Sequence, residues 1–228
     1  MSDLEIIAET NDYIVVNKRA GLISEKNPFE NSTVEDQVFD HLSKLNRKPF
    51  VGVIHRLDRV TSGVLIFAKK KKTLVEFNEL FSSRKVQKTY LAVVKTKPKK
   101  QQATLVDFLF KNNIEKRADI VDKHSKNALE ANLSYRIIDK NEQGYLLEIK
   151  PKTGRFHQIR AQLANLGCSI IGDEKYGSDQ AYFPLTICLH AWKLTYPVIG
   201  SNTDETFEAP LPKNDFWEFG KIDLKSLK

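Results

Sequence analysis

Residues 55–68 join a charged segment to an apolar run and read His55-Arg56-Leu57-Asp58-Arg59-Val60-Thr61-Ser62-Gly63-Val64-Leu65-Ile66-Phe67-Ala68. Asp58 lies between Arg56 and Arg59, and an adjacent positive charge favours the ionised form of a carboxyl group. An ionised aspartate can act as a nucleophile in covalent catalysis, although structural ion pairs also perturb carboxylates. The apolar residues 64–68 predict a buried strand. These residues alone fit a catalytic aspartate and, equally, an exposed charged turn before a strand.

The composition indicates a folded, basic protein. The chain has 228 residues, 41% hydrophobic residues and a formal net charge of +7, which fits one large domain or two small halves with a substantial core. No apolar run approaches the roughly 20 residues of a membrane span, and the N-terminus lacks a signal-peptide pattern. Cys168 and Cys188 are the only cysteines, which argues against a disulfide framework or structural zinc and predicts a reducing cytoplasm.

The positive charge is clustered along the sequence. Lys69–Lys72 form one cluster, and four lysines between residues 95 and 100 form another. Such patches attract phosphate backbones and make binding sensitive to salt. The alternative for either cluster is a solvated lysine face, because lysine is normally exposed.

Strand and helix signals are mixed along the rest of the chain. Two hairpins are predicted, at residues 6–16 and at 129–150. Further strands are predicted at residues 89–94, 168–171, 187–196 and 205–208. Three helices are predicted: one after a Ser32–Glu35 capping box, one around residues 74–81, and one from about Phe156 to Gly167. The last helix would carry an apolar face formed by Phe156, Ile159, Leu163 and Leu166. Hairpins mixed with isolated helices predict an α+β fold.

A second polar constellation lies at the start of this last helix, in the sequence Thr153-Gly154-Arg155-Phe156-His157-Gln158-Ile159-Arg160. His157 and Arg160 are three residues apart and therefore share a helical face. Polar groups at a helix N-terminus suit phosphate contact or the positioning of a carboxylate. Taken alone, His157 fits a structural histidine and Arg155 a surface charge. A buried Arg160 would require an anionic partner, for which Asp58 is a candidate.

Seven segments, in order, resemble motifs of the RluA-type RNA pseudouridine synthases. They are Val16–Gly21, His55–Gly63, Lys88–Ala92, Thr153–Arg160, Gly172–Gly177, Leu189–Ala191 and Ala209–Pro212. The resemblance covers about residues 5–216, with Arg19 in place of the usual proline, Phe156 in place of threonine and Tyr196 in place of histidine. Residues 96–128 match weakly.

The resemblance implies a fold and a domain organisation. The fold would be a bent, mixed, mainly antiparallel sheet flanked by helices, with a central RNA-binding cleft. Residues 1–228 would form a single catalytic domain, possibly with two subdomains flanking the cleft. A separate RNA-binding domain is not expected, because no S4-like segment precedes the motifs.

The resemblance also implies a reaction in which a uridine of RNA is flipped out of its stack and isomerised to pseudouridine. Asp58 would be the nucleophile or base. Three routes stay open: attack of Asp58 on the sugar, attack on the uracil ring, and a glycal-type route. Tyr90 would stack on the flipped base, although a packed strand aromatic is the simpler interpretation without the resemblance. Arg160 would pair with Asp58. Substrate contacts would come from His55, Arg56, Arg155, His157, Gln158 and Leu189.

The expected partner is RNA, either 23S-type ribosomal RNA or transfer RNA, bound by a monomeric protein without a metal or organic cofactor. Two other function classes stay open at this point. One is a catalytically silent RNA-binding or ribosome-assembly protein on the same fold. The other is a glycosidic hydrolase, which usually needs two carboxylates flanking the bond, whereas Asp58 has no acidic companion in its motif.

Overall fold

The computed structural model describes residues 4–29, 32–44, 47–198 and 201–220. Within these residues lie three α-helices, α1 (Val34–Ser43), α2 (Lys71–Ser82) and α3 (Gln158–Asn165). The strands are β1 (Ile6–Glu9), β2 (Tyr13–Lys18), β3 (Gly52–Val53), β4 (Ser62–Ala68), β5 (Gln87–Val94), β6 (Gln102–Asn112), β7 (Arg117–Val121), β8 (Leu129–Lys140), β9 (Tyr145–Pro151), β10 (Leu189–Pro197) and β11 (Asp204–Glu208). The predicted α+β class, with a mixed and mainly antiparallel sheet, is confirmed.

The chain folds as two units, of which the first comprises Met1–Lys88 and His190–Leu211. Its strands are ordered β1-β2-β4-β10, with β11 on β10 and β3 on β4. Among the described strands of this unit, β4 and β10 run parallel, whereas the pairs β1–β2, β2–β4, β3–β4 and β10–β11 are antiparallel. All seven residues of β4 are buried, as a continuous apolar strand should be. Phe77 and Leu80 of α2 pack with Val64 and Ile66 of β4 in the core of this unit.

The second unit comprises Thr89–Leu189 and Pro212–Lys228. Its strands are ordered β5-β9-β8-β6-β7, and the pairs are antiparallel. Ala161 of α3 packs against Leu109, Ala118 and Ala131 of the sheet. The part of the chain described here contains no helix long and apolar enough to cross a membrane.

Three sequence-based assignments were wrong in detail. The capping box of α1 is Thr33 with Asp36, one residue later than predicted, and Glu35 instead accepts a hydrogen bond from the Lys26 N–H. Residues 168–171 form no strand but a single bridge between Ile170 and Val94. Strands β6 and β7 lie in the weakly matching segment 96–128 and were not predicted.

The helix start at residue 156 was also placed too early. His157 has a φ of 51°, in the left-handed region, and α3 begins only at Gln158. Phe156 therefore stands outside the helix, and 38% of its surface is exposed. The predicted end is confirmed, because Gly167 has a φ of 77° and such residues commonly terminate helices.

Gly63 is the glycine of the Thr61-Ser62-Gly63 segment, and its backbone leaves no room for a side chain. Its φ is +117°, and a Cβ would lie 2.2 Å from the Ala191 carbonyl oxygen of the paired strand. We expect Gly63→Ala to lower the free energy of unfolding by about 2–3 kcal/mol, because both backbone strain and overpacking are unfavourable. Urea unfolding measures this loss. The matched control is Gly220→Ala, where nothing lies within 4 Å of an added Cβ; equal midpoints for the two variants would contradict the prediction.

Candidate active site

The loop that carries Asp58 is fixed through its backbone. The Ser24 hydroxyl donates to the Leu57 carbonyl (2.9 Å) and accepts from the Leu57 N–H (3.1 Å). The Gly21 N–H donates to the Arg59 carbonyl (2.8 Å), and Arg59 Nε donates back to the Gly21 carbonyl (3.2 Å). Asp58 is thus flanked on both sides by residues anchored to the segment after β2.

Lys18, the last residue of β2, is the buried charge of this loop. Only 1% of its surface is exposed, and its ammonium group donates to the carbonyls of Arg19 and Arg59, each at 3.1 Å. Burial lowers the pKa of Lys18 to about 7, although the nearby Asp58 carboxylate opposes this shift by favouring the charged ammonium. A buried ammonium near a carboxylate stabilises the ionised carboxylate. Lys18 is therefore a buried titratable amine near Asp58 that sequence reasoning did not identify.

The arginines around Asp58 have partners within the same unit. Arg56 is exposed and forms an ion pair with Glu25, with 2.5 Å between Nη1 and Oε1. Arg59 uses Nε for the Gly21 carbonyl, as described above. The charge of Arg56 is thus partly balanced by Glu25.

His55 is partly buried in the first unit. Its ring stacks on Phe81, with centroids 5.1 Å apart, and Nε2 accepts a hydrogen bond from the Ile66 N–H at 3.4 Å. Burial, followed by the charge of Lys88, lowers the pKa of His55 to about 3. His55 is thus a neutral, packed ring, and its contact with substrate stays a prediction.

The Lys69–Lys72 cluster is largely ion-paired. Lys69 contacts Glu9 at 2.7 Å, Lys70 contacts Asp12 at 2.7 Å and Lys72 contacts Glu76 at 3.7 Å. These carboxylates reduce the local positive potential, which favours the solvated-face interpretation over a dedicated phosphate site.

The other predicted site residues lie in the second unit or at its edge. Tyr90 is partly buried on β5, opposite Ile149 of β9. Leu189 is 3% exposed at the first position of β10. Their proposed contacts with the flipped base stay predictions.

Gln158 holds the loop that precedes α3. Its amide oxygen accepts from the Thr153 hydroxyl (2.8 Å) and from the Arg155 N–H (3.0 Å), and its Nε2 donates to the Asn132 carbonyl (3.1 Å). Arg155 donates from Nε to the Glu130 carbonyl at 3.0 Å. Gln158 is 4% exposed, so its amide positions this loop.

Arg160 is buried, and its orientation is fixed by a bidentate ion pair. Nε and Nη2 each lie 2.7 Å from a carboxylate oxygen of Asp173. Nη1 donates to His157 Nε2 at 3.0 Å. A planar guanidinium presents five N–H donors in a fixed fork, so these contacts determine where its charge points. Pairing with Asp58 stays a prediction.

The network continues from His157 into the sheet. With Nε2 as acceptor, Nδ1–H donates to the Tyr176 hydroxyl at 3.0 Å. That hydroxyl also accepts from the Ala118 N–H (2.7 Å) and donates to the Ala118 carbonyl (3.2 Å). Burial, with Arg160 as the next cause, lowers the pKa of His157 to about 3. His157 is therefore a neutral connector between Arg160 and Tyr176.

Comparison with known proteins gives a match over the part of the chain that contains the Asp58 loop and α3. The family model described as RNA pseudouridylate synthase matches residues 12–165, more than half of the chain, including the Asp58 loop and the Arg160 helix. The chain belongs to the RNA pseudouridylate synthase family. The expected family is thus confirmed, and the protein is an RNA pseudouridine synthase, an isomerase.

Two relatives and one solved structure illustrate the match of this synthase. Ribosomal large subunit pseudouridine synthase D of Borreliella burgdorferi is 34% identical over 97% of this chain and 71% of the relative. tRNA pseudouridine synthase C of Vibrio parahaemolyticus is 30% identical over 95% of this chain and 93% of the relative. The solved structure of human RNA pseudouridylate synthase domain containing 4 superposes with a TM-score of 0.78 at 23% identity, covering 92% of this chain and 89% of that one. This last similarity confirms the pseudouridine synthase fold.

Asp173 and Tyr176 of the synthase were missed from sequence, although the segment Gly172–Gly177 was recognised as a motif. The available signal was the requirement of a buried arginine for an anion, which was assigned to Asp58 alone. Within the ranges that the structure covers, no cluster of histidine, cysteine and acidic side chains could hold a metal ion.

Buried His190 should make the stability of the synthase depend on pH. His190 is fully buried; its Nδ1 accepts from Ser62 (2.9 Å) and Nε2–H faces the Ala209 carbonyl (3.4 Å). Burial lowers its pKa from 6.5 to about 4. Below pH 6.5 the unfolded chain binds a proton that the folded chain resists, so stability present above pH 6.5 is lost as the pH falls towards 4.

We expect His190 to account for a loss of about 2 kcal/mol between pH 6.5 and 5. Urea unfolding at a series of pH values measures the slope. His190→Gln should reduce the slope, with His55 and His157, whose pKa values burial also lowers, still contributing; His124→Gln, at an exposed position, should leave the slope unchanged. Identical slopes for His190→Gln and the wild type would contradict the assignment.

Proposed function

We propose that this synthase converts specific uridines in ribosomal or transfer RNA to pseudouridine, with Asp58 as the nucleophile or base. The observation that carries the proposal is the anchored Asp58 loop, in which Ser24 donates to the Leu57 carbonyl, and Gly21 and buried Lys18 donate to the Arg59 carbonyl. A catalytic carboxylate must be held within a fraction of an ångström of its productive position. A flexible charged turn would not need such anchoring.

The isomerisation needs no other reactant. The bond from C1′ of the ribose to N1 of uracil breaks, the base turns, and a bond from C1′ to C5 forms. The proton on C5 leaves to solvent and N1 gains a proton, so atoms balance. Asp58 would start the reaction by attacking the sugar or the ring, or by removing a proton.

The roles proposed for the second unit follow from charge and position. Arg160, oriented by Asp173 and His157, would hold the ionised Asp58 carboxylate, since an adjacent cation favours the charged form. Tyr90 would stack on the flipped base. Arg56, which is exposed, would contact RNA or fill the space that the flipped base leaves.

We propose large-subunit ribosomal RNA as the first target and transfer RNA as the second. Relatives named for each substrate match this chain at 34% and 30% identity, respectively. The single catalytic domain, the central RNA-binding cleft, the monomeric state and the cytoplasmic location stay predictions. Both cysteines are free, buried thiols, which fits a reducing compartment.

The test is to incubate the purified protein with ribosomal and transfer RNA from a strain that lacks the gene. Pseudouridines are then mapped by carbodiimide modification and primer extension. We expect one or a few positions to be restored in one RNA class. Restoration in neither class would contradict the proposal, and release of free uracil would indicate a hydrolase instead.

A further inference from the structure

Phe156 is an exposed aromatic residue within a polar segment of the second unit. Phe156 comes directly before His157 in the chain. The backbone of His157 is in the left-handed conformation, so Phe156 does not continue the axis of α3. With 38% of its surface exposed, Phe156 contributes little to the core formed by Leu109, Ala118 and Ala161. A single exposed apolar residue is common on protein surfaces, so Phe156 requires a second observation before it can be assigned a role.

The second observation is that the Phe156 ring rests on a fixed support. Its centroid lies 3.8 Å from the centroid of His157, and the planes differ by 21°. Both nitrogens of His157 are engaged, Nδ1 with Tyr176 and Nε2 with Arg160. The imidazole is therefore held in plane, and the phenyl ring stacked on it is held with it. A rigid ring loses little conformational entropy when a ligand binds.

A third observation is the positive charge around the ring. The ammonium of exposed Lys111, on β6, lies 5.1 Å from the Phe156 centroid, and Arg155 adjoins Phe156 in the chain. Both carboxylate oxygens of Asp119, on β7, already accept hydrogen bonds, from Arg117 Nε at 2.7 Å and from Asn112 Nδ2 at 2.9 Å. An aromatic face with neighbouring cations is the combination with which proteins bind single-stranded RNA, by stacking a base and contacting its phosphates.

We propose that Phe156 is a stacking platform for an unpaired base of the substrate RNA, with Lys111 and Arg155 contacting adjacent phosphates. This inference rests on the proposed function and adds a binding position to it. Lys111 has a flexible stem, so its ammonium can move from the ring to a phosphate when a base arrives.

The first experiment measures binding without turnover. An oligouridylate containing 5-iodouridine is crosslinked to the protein by light, and the crosslinked peptide is identified by mass spectrometry. We expect a crosslink at Phe156 that is lost in Phe156→Thr and kept in Phe156→Trp. The matched control is Phe183→Thr, at another exposed phenylalanine of the same unit, which should keep the crosslink. A wild-type crosslink pattern that excludes Phe156 would overturn the proposal.

The second experiment measures turnover on unmodified ribosomal and transfer RNA from the strain without the gene. Phe156→Thr should raise KM by about 5- to 150-fold, the range for loss of one stacked base, and leave kcat within about twofold. Phe156→Trp should restore KM, which a purely structural role would not predict. An unchanged KM would overturn the platform even if the isomerase is active. A Phe156 crosslink without any pseudouridine formation would instead support the platform and reject the proposed function.

Discussion

Asp58→Asn is expected to lower pseudouridine formation by at least about a thousandfold while RNA affinity changes little. Asparagine has nearly the same shape as aspartate, so the hydrogen bonds that Ser24, Gly21 and Lys18 make to the neighbouring backbone should persist. What is lost is the carboxylate oxygen that the proposed function makes the nucleophile or base, and each of these functions contributes several orders of magnitude to rate. The measurement is single-turnover pseudouridine formation, alongside RNA binding by filter retention.

The control for this prediction is Asp12→Asn. Asp12 is an exposed aspartate of the same unit, paired with Lys70 at 2.7 Å, and its replacement should leave turnover unchanged. An Asp58→Asn variant with more than about a tenth of wild-type turnover would contradict the catalytic role. Loss of RNA affinity with folding intact would show that Asp58 acts in binding instead.

Asp173→Ala is expected to lower the free energy of unfolding by about 3–5 kcal/mol, because it leaves the buried Arg160 charge without its bidentate partner. The two side chains are 6% and 1% exposed, and both N–O distances are 2.7 Å. Urea unfolding gives the stability. Asp119→Ala is the matched control, since its pair with Arg117 has the same 2.7 Å distance but is 30–40% exposed; such a pair contributes about 0–1 kcal/mol.

A double variant separates stability from catalysis at this pair. Replacing both residues, as Asp173→Ala with Arg160→Met, removes the buried charge and should recover much of the lost stability. Turnover should not recover, because the proposed cation for Asp58 is absent. Recovery of turnover together with stability would show that Arg160 acts only in folding. Equal losses of unfolding free energy for Asp173→Ala and Asp119→Ala would contradict the prediction that the buried ion pair matters more for stability than the exposed one.

Sequence alone predicted the elements that depend on local patterns. The apolar run 64–68 became β4, extended by Ser62 and Gly63, because a continuous apolar strand is typical of a fully buried position. The helix around residues 74–81 and the end of α3 at Gly167 also followed from periodicity and from glycine chemistry. The sequence indicated that Arg160, if buried, would need an anionic partner; Arg160 is buried, and Asp173 is such a partner.

The features that sequence did not predict depend on contacts between distant residues or on single backbone angles. Asp173 and Arg160 are thirteen residues apart and meet through a fold-dependent turn. The left-handed backbone of His157 delays the start of α3, and its side chain is held by hydrogen bonds to Arg160 and Tyr176. Lys18 appears in sequence as an ordinary lysine at the end of a strand, and its burial is visible only in the folded chain.

The central claim is that Asp58 drives the isomerisation of uridine in RNA. The most direct measurement is tritium release from ribosomal and transfer RNA labelled at C5 of uridine and prepared from a strain without the gene. Because C5 becomes the carbon bonded to ribose, its hydrogen must leave to water in each turnover. We predict release by the wild-type protein and none above background by Asp58→Asn at equal RNA occupancy. Release by Asp58→Asn at the wild-type rate would contradict the claim.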